Sequence, residues 1–240
     1  MVDRGRRAGL TRDKVVAEAV AIADVEGITA VSMRRLGRAV GVEAMSLYNH
    51  VSDKGDLLDG MIDAVFAEID LPVGADWREA MRRRAHSARE VLNRHRWAVG
   101  LMESRTTPGP ETLRHHDAVL GALRAEGFPV ALAAHAFSAI DSYLYGFVLQ
   151  ETSLPFDDGE QAAELVQQML GEHAARYPHL AELSAEHVRQ EGYEFGSEFG
   201  YGLDLILDAL AHRLAATCPV EQAAIAGPDR RAGTPAPERP

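Results

Sequence analysis

Apolar residues recur along most of this chain at intervals of three and four, the spacing that lines one face of an α-helix. Val15, Val16, Ala19, Ile22 and Ala23 form the first stripe, with Thr11 as N-cap, Asp13 in the first turn and Gly27 as the stop. Ser32 caps a second, short helix that carries Met33, Leu36 and Val40 on one face and ends at Gly41. A third helix covers about residues 43–49. Ser52 caps a fourth, whose stripe is Leu57, Leu58, Met61, Ile62, Val65 and Ile69, and Leu71-Pro72-Val73-Gly74 breaks it. The pattern then predicts helices over about 77–94, 96–104 and 111–126, one opened by Pro129 and running to about 153, and two more over about 160–175 and 191–216. Alternating runs of the strand type are missing. The expected fold is all-α, a three-helix head followed by a helical-bundle body. Its expected parts are a basic N-terminal arm (1–10), a helix-turn-helix domain (11–71), an effector-binding and dimerisation domain (76–217) and a Pro- and Gly-rich disordered tail (218–240).

The second and third helices carry the most specific signal. They are short and meet at Gly41, and glycine permits the left-handed backbone that a tight turn needs. Leu36, Val40, Val42 and Leu47 are spaced to pack the pair together and onto Ile22. The remaining side chains of the third helix, Ala44, Met45, Ser46, Tyr48, Asn49 and His50, are small or hydrogen-bonding, which suits base edges in a major groove. Arg34 and Arg35 open the preceding helix, where phosphates would pass.

Charge sharpens this picture. The formal net charge is −11, which by itself disfavours nucleic acid. Its distribution does not, because residues 1–50 carry eight Lys/Arg against six Asp/Glu, and the rest of the chain carries 17 against 30. A basic head on an acidic body is expected when only the head meets phosphate.

On these residues the head, about 10–70, resembles the TetR family of repressors. The specific match is Gly41-Val42, Ser46-Leu47-Tyr48 and His50-Val51, with Lys54 and Leu57-Leu58 following. The resemblance implies a contact set of Ser32, Met33, Arg34, Ala44, Met45, Ser46, Tyr48, Asn49, His50 and Lys54, with the tyrosine on the DNA backbone and the lysine beside a phosphate. Many members have Phe or Trp where this chain has Asn49, so an unusual operator preference is expected.

The body resembles the tetracycline-repressor branch, on Trp77 opening a helix to Arg94-His95-Arg96 and on the segment YEFGSEFGYGLDLILDALAHRL. This implies a homodimer in which the helices at 129–153 and 191–216 pair with their twins. Phe137, Leu144, Gly196, Gly200, Leu203, Leu207 and Leu210 are the expected interface residues. Gly192, Gly196 and Gly200 recur every four residues. Either they line one face for close backbone approach, or the helix starts only after Gly192 or Gly196. The resemblance also implies an effector cavity among the helices at 77–94, 96–104, 111–126 and 129–153. His86, Asn93, Trp97, Met102, His116, Asp141, Ser142 and Tyr145 are its candidate lining. The magnesium-chelating positions of tetracycline repressors fall here on Met102, Asp70, Arg84 and Val119, so a tetracycline–magnesium chelate is not the expected effector.

Other chemistry finds little support. His115-His116-Asp117 are consecutive, and neighbours on a helix point about 100° apart, so they do not converge on one metal. Zinc-protease, phosphate-loop and nucleophile-elbow motifs are missing, and neither an enzyme nor a cofactor is expected. No run approaches the roughly 18 apolar residues of a membrane span. The single cysteine, Cys218, and an N-terminus without a secretory core fit a cytoplasmic protein. The expected function is a transcription regulator, most simply a repressor of a palindromic double-stranded operator released by a small, largely apolar effector. The alternative is a helical binding scaffold whose head does not bind DNA.

Overall fold

The computed structural model describes residues 9–74, 76–102, 104–105, 107–156, 159–190 and 192–217, and every regular element among them is helical. The arm residues Arg4, Arg6 and Arg7 and the tail from Cys218 onward lie outside the described residues.

Four helices build the head: α1 (Arg12–Glu26), α2 (Met33–Val40), α3 (Ala44–Leu47) and α4 (Lys54–Glu68). The starts of α1, α2 and α4 follow local chemistry. Thr11 accepts from the Lys14 amide, Ser32 from the Arg35 amide, and Asp53 from the Asp56 amide at 2.8 Å. Asp53, and not Ser52, is therefore the cap of α4; the Ser52 amide instead donates to the Asp56 carboxylate at 2.7 Å. The head's core joins Val15, Ala19, Ile22, Leu36, Leu47 and Leu57, all buried, with Val40 and Val42 packed against them.

The body holds α5 (Trp77–Arg94), α6 (Val99–Met102), α7 (Pro110–Ala125), α8 (Val130–Ser153), α9 (Gly159–Leu170), α10 (Pro178–Leu183) and α11 (Glu198–Thr217). Helix α8 is long and apolar enough to cross a membrane by length and composition, but its Ala133, Ala136, Ile140, Leu144 and Val148 are buried against the rest of the body.

Helix α4 belongs to both cores. Leu57 and Met61 are buried in the head cluster, while one turn on Ile62, Val65, Phe66 and Ile69 are buried in the body cluster. A second tie lies at the α5–α6 turn. His95 is buried with its Nδ1 2.8 Å from Asp24 of α1 and its Nε2 3.2 Å from Glu68 of α4, and the Trp97 indole donates to Asp24 at 2.7 Å. The helix expected over 96–104 is here the single turn of α6.

The last helix also differs from expectation. It begins at Glu198, after a 3-10 turn at Phe195–Ser197, and Gly192 sits in the left-handed region at φ 81°. The three glycines thus do not share one helix. The close approach occurs at Gly202 instead, where a Cβ would collide with the Tyr143 hydroxyl, which donates to the Phe199 carbonyl at 3.0 Å.

Candidate DNA-reading face and effector cavity

The turn between α2 and α3 is built from backbone. Gly41 ends α2 in the left-handed region (φ 75°, ψ 31°). The Val42 amide returns to the Gly37 carbonyl at 2.9 Å. Gly37, which periodicity did not single out, is fully enclosed: a Cβ there would stand 2.9 Å from the Val42 carbonyl oxygen and 3.1 Å from the Ala44 amide nitrogen. Both obstacles are backbone and cannot rotate away. Gly37→Ala is therefore expected to force α3 off α2, costing about 1–3 kcal/mol and weakening operator binding with it; thermal denaturation and DNA titration of one variant check both.

Helix α3 is shorter than expected. After Leu47 the chain tightens, with the Tyr48, Asn49 and His50 amides reaching back three residues to Met45, Ser46 and Leu47. Leu47 is buried, while Met45 is 75% and Tyr48 45% exposed, and Asn49 is exposed too. An apolar methionine held out to solvent beside Tyr48 and Asn49 is suited to thymine methyls and sugars. Ser32, Arg34 and Lys54 are exposed on the flanks, and Ala44, Ser46 and His50 are partly so. Met33 differs from the rest of the expected contact set, because it packs partly buried against the head core.

One clamp missed by motif reading holds this surface. Arg12 of α1 forms a two-pronged pair with Asp56 of α4, at 2.5 and 2.9 Å, and also donates to the His50 carbonyl at 3.4 Å. Its guanidinium holds the Asp56 carboxyl below its ordinary range, with the Ser52 amide adding to the effect. The partners are 44 residues apart, so no local pattern announces them.

In the body a cavity of about 670 Å³ opens between α4, α7, α8 and the α6–α7 loop. Of the eight candidate lining residues, Met102, His116, Asp141, Ser142 and Tyr145 face it. The other three do not. His86 packs edge-on against Phe199, Asn93 donates to Glu151 at 2.9 Å, and Trp97 is held by Asp24 at the seam with the head. Phe137, expected at a dimer interface, lines the cavity instead. So do Asp59, Ile62 and Phe66 of α4, which fall within the expected head domain (11–71).

Four of the other expected interface residues are not exposed to a second copy. Leu144, Leu203, Leu207 and Leu210 are buried within the protomer's own core, because α8 and α11 first pack against each other and α5. Gly196 abuts Arg89 and Glu151, and Gly200 has open space beside it. The large apolar side chains that α11 leaves exposed are Tyr201 (70%) and Leu205 (56%).

Polar groups concentrate at one end of the cavity. Arg84, 1% exposed, pairs with Asp141, and its Nε donates to the His115 Nε2 at 3.4 Å. His115 must then carry its proton on Nδ1, which finds no partner among the described residues. Burial, reinforced by the Arg84 charge, pushes the His115 imidazole down to about 3. Burial also lowers His116, whose ring stands edge-on to Phe66 and Phe137. The sign for stability follows. Between pH 6.5 and about 3 the unfolded chain binds a proton at His115 that the folded chain refuses, so stability falls as pH drops, by up to about 1.4 kcal/mol per pH unit. His115→Phe is expected to flatten that slope in denaturant titrations between pH 7 and 5.

Loop and helix meet at the cavity rim. Arg105 pairs with Asp59 and donates to the Gly55 carbonyl at 3.0 Å, and Asp63 accepts from the Thr112 amide at 2.8 Å and its hydroxyl at 3.0 Å. The positions that correspond to a tetracycline–magnesium site do not converge. Val119 is fully buried, Asp70 is exposed outside the cavity, Arg84 is engaged by Asp141, and only Met102 reaches the lining. No cluster of His, Cys, Asp and Glu fit for a metal occurs among the described residues.

Known proteins share this architecture. Residues 71–214 match the family described as the tetracyclin repressor-like, C-terminal domain. The chain is 34% identical over 204 residues to an HTH-type transcriptional regulator of Saccharopolyspora erythraea, spanning 84% of this chain and 85% of that one. It is 34% identical over 220 residues to the HTH-type transcriptional repressor DrrR1 of Streptomyces coeruleorubidus, spanning 86% and 79%. The TetR family protein ActR of Streptomyces coelicolor, solved with actinorhodin, superposes with a TM-score of 0.73 at 28% identity, over 86% of this chain and 99% of that one. With its exposed reading helix, its body cavity and these relatives, the chain belongs to the TetR family of DNA-binding, ligand-responsive transcription regulators.

Proposed function

We propose that this protein is a homodimeric, cytoplasmic repressor that acts by binding and not by catalysis, and that an effector in the body cavity releases it from a palindromic operator. The observation that carries this reading is the double membership of α4: Leu57 and Met61 fix its first half in the head, and Ile62 and Phe66 of its second half form cavity wall. An effector pressing on that wall favours one orientation of the head over another, so ligand and operator compete through a shared helix. In this reading the head comprises residues 11–71 and the body 76–217. Two heads reading one face of the duplex require half-sites about 34–36 Å apart, and the outward Tyr201 and Leu205 of α11 are the proposed contacts to the second copy.

A titration of the DNA upstream of the gene, read by fluorescence anisotropy with and without candidate effectors, tests the proposal. The expected result is tight binding that a cavity ligand weakens. Failure of Phe137→Trp, which would fill the cavity, to alter the effector response would overturn the assignment of the cavity.

A further inference from the structure

We propose that the cavity takes an uncharged aromatic ring system bearing a hydroxyl that donates to Asp141. This rests on the reading of the cavity as the effector site and adds the chemical class of its occupant.

Three observations converge. The first is charge. Each carboxylate on the lining already has its counter-ion, Arg105 for Asp59 and Arg84 for Asp141. Burial keeps His115 and His116 neutral near pH 7. A charged group at that end would lose its water without gaining a partner.

The second is hydrogen bonding. Arg84 engages Asp141 through Oδ1, and Oδ2 has no donor among the described residues. An ionised carboxylate only accepts, so the cavity group opposite it must donate. Ser138, Asp141, Ser142 and Tyr145 stand at i, i+3, i+4 and i+7 on α8, a polar stripe on one of the most apolar helices, and all four face the cavity. Tyr145 packs partly against the core, but Ser138, Asp141 and Ser142 add no apolar surface to it.

The third is shape. Phe66 and Phe137 each meet His116 near perpendicular, at ring-centroid distances of 5.4 and 5.2 Å, and all three rings line the cavity. A lining with three rings favours an aromatic partner. The volume, about 670 Å³, is that of a site for a drug-sized molecule.

Isothermal titration of the full-length protein with 2-(hydroxymethyl)anthraquinone, whose hydroxyl is out of reach of the ring carbonyls and free to donate, anthraquinone and anthraquinone-2-sulfonate tests the inference. The hydroxymethyl compound is expected to bind about tenfold or more tightly than either of the others, the effect of one hydrogen bond to a charged group. Equal or tighter binding of the sulfonate or of the bare quinone would overturn it, as would binding by none of the three. In the double variant Arg84→Met with Asp141→Leu the preference for the hydroxylated probe should vanish while the bare quinone still binds. Phe137→Trp, with a native fold verified by circular dichroism, should weaken every probe, and unchanged binding there places the site elsewhere and refutes the assignment. Operator release is scored separately: a hydroxymethyl probe that binds but leaves the DNA complex intact supports the ligand class and counts against effector-driven release.

Discussion

Arg84→Leu is expected to lower folding stability by about 3–5 kcal/mol, because it leaves Asp141 buried without its counter-ion. For a domain of this size that is a fall in Tm on the order of 10 °C, measured at fixed protein concentration. The mechanism is the asymmetry of buried ion pairs. Forming the pair gains little once desolvation of both charges is counted, but removing one partner strands the other. The double variant Arg84→Met with Asp141→Leu removes both charges and should recover most of the loss. If the single variant is as stable as the parent, or the double no better than the single, the pair does not have the role the geometry gives it. The expected outcome also separates stability from function, since the double variant should fold yet lose its discrimination among cavity ligands.

The second large effect concerns DNA. Arg34→Ala combined with Tyr48→Ala should weaken operator binding at least about 100-fold, because two hydrogen bonds to a charged backbone are worth roughly 1.5–3 kcal/mol each. Both side chains are exposed, so the circular dichroism spectrum, Tm and dimer mass should not change. The plot of log affinity against log salt should become shallower, since fewer counterions are released. Retention of tight, salt-steep binding would show that the reading surface lies elsewhere. Asn49→Ala should act differently, altering preference among operator sequences more than the salt slope if its amide reads a base.

How much of this was legible in the sequence differs by element. Helices α1, α2 and α4 were visible because their stops and starts are local: Thr11, Ser32, Gly27 and Gly41 satisfy or interrupt the backbone within a turn. The cap of α4 was misplaced by one residue because Ser52 and Asp53 are both good caps, and only the Asp56 carboxylate, already turned toward Ser52 and Arg12, leaves the role to Asp53. The final helix was overextended because its residues keep helical spacing through 192–197, while Gly192 at positive φ delays the helix to Glu198.

The site divides in the same way. Asp141, Ser142 and Tyr145, named among the polar and aromatic residues able to point inward, lie on the apolar α8 and face the cavity. His86 and Asn93 were named on the same ground, but they lie on the arginine-rich α5, whose faces turn them toward Phe199 and Glu151. Periodicity says that a face is buried and not against what. Leu144, Leu203, Leu207 and Leu210 therefore looked like an interface and proved to be core.

The sequence by itself determined the all-helical class, the Gly41 turn, the exposed composition of the reading helix and the segregation of basic charge to the head, because each depends on residues within a few positions of one another. Tertiary structure alone decided which helices line the cavity, which distant charges pair, and that α4 is shared between two cores. Those depend on contacts such as Arg12 with Asp56, Arg105 with Asp59 and Arg84 with Asp141, separated by 44, 46 and 57 residues. Such partners are chosen by the packing of whole helices, and no local spacing encodes them.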